Sequence, residues 1–410
     1  MSTEIIITIC VLLLIAYVFD LSASKTKIPS VILLLGLGWL VRRGTELFHL
    51  RMPDLNSLLP ILGTIGLIMI VLEGSMELKI DRSKKKIVIN TFLLSLIPLL
   101  LLSFLMSYGF YLAYHVDFNN ALLNIIPLTI ISSAIAIPSV KKSRPYIREF
   151  ITYESSLSDI LGILFFNFML ANEVIDGSSF LHFGLDLIII FLISLVGTIG
   201  LAMMLNRIDH HIKYTPIILL IILTYAITKV YHLPGLIFIL VFGIFLSNLN
   251  LLQRFKIIQR FRFNEIEDEV YAFHEITTEA AFLIRSLFFL LFGYLIETQS
   301  LLNIETLGWS LAIVGVIFIV RLFLLFAFRQ PLMPTLFIAP RGLITILLFY
   351  SIPDARKITG VNDSLIIQVI VLSALLMIIG FMFTSGEKEL KNPVAEIQEE
   401  SPESSSNEEM

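Results

Sequence analysis

Thirteen apolar runs, joined by short polar loops, occupy most of the chain and leave it one physical setting. They fall at about 5–19, 28–41, 58–72, 87–114, 121–140, 149–170, 183–205, 215–230, 234–249, 277–296, 307–328, 335–352 and 364–383. Such runs suit a hydrocarbon layer of ~30 Å, where backbone groups must be satisfied within helices. The expected fold is an all-α polytopic membrane protein of thirteen transmembrane helices, some short enough to be broken or half-buried. A mean hydropathy of +0.89 and a charged fraction of 15% exclude a water-soluble enzyme. A net charge of −4 argues against a nucleic-acid partner. The lone Cys10 lies inside the first run and offers neither a disulfide nor a thiolate metal site.

The first run follows residues 1–4, which carry no basic flank, and precedes Asp20 and Lys25 rather than a small-residue cleavage site. It reads as a retained helix. Loop charge then sets the orientation. Alternate loops carry 20 of the 29 basic residues, including Lys84 to Lys86, Lys141, Lys142, Arg144, Arg148 and Arg254 to Arg262. The opposite set carries six, Arg42, Arg43, Arg51, Lys229, Arg356 and Lys357. By the positive-inside rule the N-terminus is expected outside and the C-terminus in the cytoplasm, in a cell (inner) membrane.

Two spans carry matching interruptions. Span five holds Pro127, Ser132-Ser133 and Pro138, and span twelve holds Pro334 and Pro340-Arg341-Gly342. They are seven spans apart, so they cross in opposite directions. Spans one to six and eight to thirteen therefore fit an inverted repeat with span seven as connector, and broken helices at equivalent positions mark a transport site.

Span six supplies the chemistry. Glu154-Ser155-Ser156-Leu157-Ser158-Asp159 opens an otherwise apolar stretch, and an acid inside a membrane is costly unless it has a function. A helix entering the hydrocarbon near Glu149 carries Asp159 about 15 Å deep, near the midplane. Ser155 and Asp159 stand four apart, as do Glu154 and Ser158, so the motif presents two neighbouring faces. A hard monovalent cation, most simply Na⁺, suits the oxygens of Asp159 and Ser155 together with carbonyls freed at the span-five break. Thr129, Ser132 and Ser133 are further oxygen donors there. A proton and a cation compete for one carboxylate, and that competition couples their movements in an electroneutral exchange. No cofactor is implied.

Arg285, Arg321 and Arg341 fall inside spans ten, eleven and twelve and call for anionic partners. Glu154 and Arg321 both lie roughly 7–11 Å from the cytoplasmic face, and Arg341 lies at a level similar to Glu73. The expected ion pairs are Glu154–Arg321 and Glu73–Arg341. Arg285 pairs with Glu279, neutralises Asp159, or lines a cytoplasmic funnel.

Residues 1–384 thus form the membrane domain, and 385–410, with eight Glu against two Lys, form an acidic tail expected to remain disordered in the cytoplasm. The stretch Arg254 to Glu275 mixes aromatic and basic residues in the manner of an interfacial helix. The seven histidines fall in loops or at span ends without metal-ligand spacing.

Taken together, the motif, the breaks and the arginines resemble the sodium/proton exchanger family of the monovalent cation:proton antiporter superfamily. Glu154-Ser155-Ser156-Leu157-Ser158-Asp159 is similar to its acid-Ser-x-x-Asn-Asp motif, with Ser158 where the family has asparagine. Pro340-Arg341-Gly342 resembles its signature on the unwound twelfth helix, Leu72-Glu73-Gly74 its third-helix signature, and Arg321 its eleventh-helix basic residue. The resemblance implies a homodimer. It also implies a scaffold layer beside a core of spans four to six and eleven to thirteen (about 87–170 and 307–384) that moves like an elevator. Span five departs from the family's Thr-Asp-Pro, since Ile131 to Pro138 has no acid.

Two other classes compete. A membrane-embedded glycan-processing enzyme needs catalytic groups on sizeable loops, which this chain lacks. A cation channel or uncoupled carrier could line its pore with the same acid and hydroxyls, and saturation kinetics and exchange stoichiometry separate it from an antiporter.

Overall fold

The computed structural model describes residues 2–26, 28, 30–48, 58–78, 84–140, 143–173, 175–207, 214–230, 235–248, 263–297, 299 and 302–384. Each of the thirteen apolar runs carries helix, and no strand occurs among the described residues. The helices are α1 (Ser2–Thr26), α2 (Ser30–Leu47), α3 (Leu58–Met76), α4 (Lys85–Tyr114), α5 (Phe118–Thr129), α6 (Ser133–Ser139) and α7 (Pro145–Ala171). They continue with α8 (Gly177–Arg207), α9 (Tyr214–Val230), α10 (Gly235–Ser247), α11 (Phe263–Leu295), α12 (Ile304–Ala327), α13 (Leu343–Tyr350) and α14 (Asp363–Thr384). Among the described residues seven helical stretches are long and apolar enough to cross a membrane.

Both interrupted spans are broken where their sequence dictates. Pro127 removes a donor near the end of α5, Ile130 turns extended, and the chain re-enters helix at Ser133. In span twelve Pro334 and Pro340 bracket a single 3₁₀ turn, Thr335–Phe337, before α13 starts at Leu343. Of the stretch expected to lie at the interface, residues 263–275 form the first part of α11, while 254–262 lie outside the described residues. The acidic tail 385–410 also lies outside them.

Packing sorts the helices into two groups. In one, α11 lies along α2 and α3, α10 packs on α3, α8 and α9, and α1 rests on α2. The α2–α11 contact is close because Gly38 sits against the backbone of Leu290 to Tyr294 and Gly293 against that of Leu35. Without side chains between them, two helices approach to backbone contact, as is common in membranes. In the other group α4 packs on α5, α7 and α12, α7 on α5 and α6, and α14 on α12 and the 3₁₀ turn. The groups meet mainly where α3 touches α7 and α13, and α10 touches α7.

A candidate cation site at the crossing of two broken helices

The two interruptions meet. Ser132 N–H donates to the Pro340 carbonyl at 2.9 Å, joining span five to span twelve by a backbone hydrogen bond. Gly342 permits the approach: a Cβ there would lie 2.7 Å from Ser132 Oγ and 2.8 Å from Ile135 Cδ1. Within this crossing Arg341, only 1% exposed, spreads its donors over carbonyls. Nε donates to Leu128 O at 2.9 Å, Nη1 to Ala339 O at 2.7 Å and Nη2 to Thr129 O at 3.3 Å.

That arrangement corrects one sequence expectation. Arg341 does not pair with Glu73. It sits in non-helical chain, where depth counted along a helix loses its meaning, and it faces the end of α5, whose last carbonyls have no intrahelical donor. The Leu128 and Thr129 carbonyls freed at the break each accept one hydrogen bond from Arg341, which leaves each a second lone pair. Glu73 instead meets Arg285, with Arg285 Nη2 3.2 Å from Glu73 Oε2. Arg285 Nη1 also donates to Ala134 O in α6 at 3.2 Å. Glu279, the other partner considered for Arg285, is exposed. Six positions along α11 leave the two side chains about 120° apart in azimuth.

Glu154 and Arg321 are brought together. Two parallel N–H···O bonds of 2.8 Å join them, and Arg321 Nε donates to Thr335 O at 3.0 Å. Glu154 is 1% exposed. Both of its oxygens are therefore committed to a fork-like pair that fixes α7 against α12 and the 3₁₀ turn.

Asp159 is built differently. Its Oδ2 accepts the N–H of Ser133 at 3.3 Å, while Oδ1 has no hydrogen-bond partner. The residue is 6% exposed, and among the described residues no lysine or arginine bridges it. The neighbours hold this arrangement in place. Ser158 Oγ accepts the N–H of Ile131 at 3.0 Å, so the serine at the family's asparagine position braces the broken stretch of span five rather than the Glu154–Arg321 pair. Ile130 fills the groove left by Gly162, one turn beyond.

The remaining hydroxyls divide. Ser155 donates to Ile151 O at 2.8 Å, which engages its proton and leaves an oxygen lone pair. Thr129 Oγ1 donates to Ile126 O at 2.7 Å and lies 3.2 Å from Ser103 Oγ, so its hydroxyl faces α4. Ser132 Oγ is buried without a hydrogen-bond partner. Ser133 contributes its N–H to Asp159 as described.

Sequence reading placed Arg356 among outer-loop charges, yet it is buried to 8% exposure. Its Nη1 donates to Met169 O at 3.0 Å and Leu170 O at 3.1 Å, and its Nε to Asn120 Oδ1 at 3.1 Å. It closes the C-terminal end of α7, the helix that carries Asp159, where a cation meets the negative end of the helix dipole. Asn124, in an apolar span, returns the contact by donating to Arg356 O at 2.8 Å. Asn124, the one amide side chain within the run 121–140, was the available signal.

Chemically, the site offers one carboxylate with a free oxygen, nearby hydroxyl oxygens, and no fixed positive charge bonded to the acid. Among the described residues no cluster of three or more His, Cys, Asp and Glu is placed to hold a metal. Such a sparse oxygen set suits a weakly held monovalent ion that must leave again.

Comparison with known proteins agrees in kind. The family model described as sodium/hydrogen exchanger, transmembrane, matches residues 10–385. A search of curated protein sequences gives no match. Among solved structures, the sodium proton antiporter MjNhaP1 of Methanocaldococcus jannaschii at pH 8 superposes with a TM-score of 0.69 at 19% identity. That match covers 94% of this chain and 100% of the other. An electron-microscopy map of the same antiporter gives a TM-score of 0.63 at 19% identity, covering 92% and 95%. At this identity the structural likeness establishes the fold, and the family match over nearly the whole membrane portion establishes the lineage: the chain belongs to the sodium/hydrogen exchanger family of multi-pass membrane transporters.

Proposed function

We propose that the protein exchanges one Na⁺ for one H⁺ across the cell membrane, with Asp159 as the shared site. The observation that carries this reading is the state of Asp159: a buried carboxylate with one oxygen unpartnered and no bridging cation. Left ionised and empty, such a group is costly, so occupancy by a proton or a cation is favoured. Either ligand cancels one charge, and only the neutral carrier crosses. One carboxylate that holds one ligand at a time gives a 1:1, voltage-independent cycle. Because Glu154 is committed to Arg321, and span five carries no acid, no second carboxylate adds to the count.

Movement is of the elevator type. Spans four to six and eleven to thirteen form the moving core, and the other spans form a scaffold that pairs with a second copy in a homodimer. The grouping of contacts supports this division, and the opposed breaks of spans five and twelve support an inverted repeat. The N-terminus lies outside and the C-terminus in the cytoplasm.

The test is cation-induced pH change in proteoliposomes carrying the wild type or Asp159→Asn, with Na⁺, Li⁺ and K⁺, with and without a potassium–valinomycin voltage clamp. Exchange that is lost in Asp159→Asn and indifferent to voltage supports the reading. Voltage-driven flux without proton movement identifies a channel or uncoupled carrier instead.

A further inference from the structure

Ser156 has no place in the family motif or in the mechanism above, yet it places a buried hydroxyl without a hydrogen-bond partner on the same helix turn as Asp159. On α7 it lies about 60° from Asp159 in azimuth, with Ser155 about 40° away on the other side. Asp159 therefore has a hydroxyl on each flank. Ser155 satisfies itself on the preceding turn, at 2.8 Å from Ile151 O. Ser156 does not: its Oγ is buried and has no hydrogen-bond partner, and the residue is 3% exposed. Leaving a buried hydroxyl unpaired is unfavourable, and a bound ligand would satisfy it.

What faces it is a glycine. A Cβ built on Gly74 of α3 would lie 3.8 Å from Ser156 Oγ, an ordinary contact distance. The gap between the α3 backbone and the hydroxyl therefore accommodates either a methyl group or a small ligand, and the chain has kept it open. The carboxylate adjacent in sequence, Glu73, is held by Arg285 at 3.2 Å. The hydroxyl is the oxygen available at this point, where α7 of one helix group touches α3 of the other.

We propose that Ser156 Oγ, across the gap kept by Gly74, is a further oxygen ligand for the monovalent cation beside Asp159. The assignment rests on Asp159 being the cation site. In this arrangement Ser155 and Ser156 flank the ion from two sides. Because the ligand sits on the seam between the helix groups, it also opposes different groups of α3 when the core shifts.

The experiment compares wild type, Ser156→Ala, Gly74→Ala and Asp159→Asn as full-length protein, by two readouts. One is the Na⁺ concentration for half-maximal exchange in proteoliposomes. The other is the Na⁺-induced rise in melting temperature in detergent, taken against each variant's own Na⁺-free baseline. Ser156→Ala removes the ligand and Gly74→Ala fills the gap without removing a polar group. Both are expected to raise the half-saturating Na⁺ concentration about fivefold, the size expected for one lost uncharged ligand, and to shrink the Na⁺-induced stabilisation. Wild-type values in either variant while Asp159→Asn is inactive overturn the Ser156 ligand and leave the Asp159 site standing. Retained exchange and Na⁺ stabilisation in Asp159→Asn overturn the site itself. A lower Na⁺-free melting temperature with unchanged Na⁺ dependence marks Ser156 as a packing residue and overturns the proposal.

Discussion

Arg341 Nε lies 2.9 Å from the carbonyl oxygen of Leu128, so an arginine from one broken span closes the end of the helix in the other. The guanidinium is a partner to backbone rather than to a carboxylate. It places a full positive charge at the negative end of α5, in a setting from which water is excluded.

That role makes Arg341 hard to replace. Hydrogen bonds from a charged donor contribute about 1.5–3 kcal/mol each, and three carbonyls, of Leu128, Thr129 and Ala339, depend on this one side chain. Arg341→Ala is expected to cost at least about 3 kcal/mol of stability on that scale. Arg341→Lys should recover only part of it, since a point-like ammonium cannot reach three separated acceptors. Melting of the detergent-solubilised variants checks this. Wild-type behaviour of Arg341→Lys would show that the fork geometry is dispensable.

The Glu154–Arg321 pair is the complementary case, in which both oxygens of a buried acid are matched at 2.8 Å. Removing one partner of such a pair strands a charge and typically costs about 3–5 kcal/mol, whereas removing both removes the liability. Arg321→Ala should therefore destabilise more than Arg321→Ala combined with Glu154→Ala. The Thr335 carbonyl loses its donor in both variants, so this contribution cancels in the comparison. Equal melting temperatures for the single and double variants would argue against the pair.

How far the sequence could be read follows from what kind of information each residue carries. Spans, breaks and the Glu154–Arg321 meeting were legible because hydropathy and depth are properties counted along one helix. Glu73 with Arg285 and Arg341 with Leu128 were not, because each depends on azimuth or on the path of non-helical chain, and span counting is blind to both. Arg356 was misjudged for the same reason. Topology placed it and Lys357 together in an outer loop, but a short 3₁₀ turn at Asp354–Arg356 directs one inward onto α7 while the other reaches the solvent.

These two adjacent basic residues give a direct comparison. Lys357 bridges Asp354 at 2.8 Å, but the Asp354 side chain is 95% exposed, so Lys357→Ala should change stability by less than about 0.5 kcal/mol. Arg356→Ala leaves the carbonyls of Met169 and Leu170 and the side chain of Asn120 without their donor, a loss of about 2–4 kcal/mol. Equilibrium unfolding of both variants tests the difference. Similar small losses for both would mean that water replaces Arg356 at the end of α7.

The crossing itself is testable through Gly342. Its backbone φ is −167°, an extended value open to any residue, so conformation is not what requires glycine. Space is: an added Cβ would meet Ser132 Oγ at 2.7 Å and Ser132 Cβ at 3.1 Å. Gly342→Ala should push the two broken spans apart, at about 1–3 kcal/mol for overpacking of this kind. It should also lower exchange, because the Ser132 to Pro340 hydrogen bond at 2.9 Å spans the same gap and Ser133, the next residue, holds Asp159. Ser132→Gly on the Gly342→Ala background removes both of those clashing atoms. The remaining close contact, at 2.8 Å, is the methyl end of Ile135, which can rotate away. Melting temperature and exchange rate should therefore recover in the double variant relative to Gly342→Ala alone. A double variant no better than the single one would show that the two helices do not meet through Ser132.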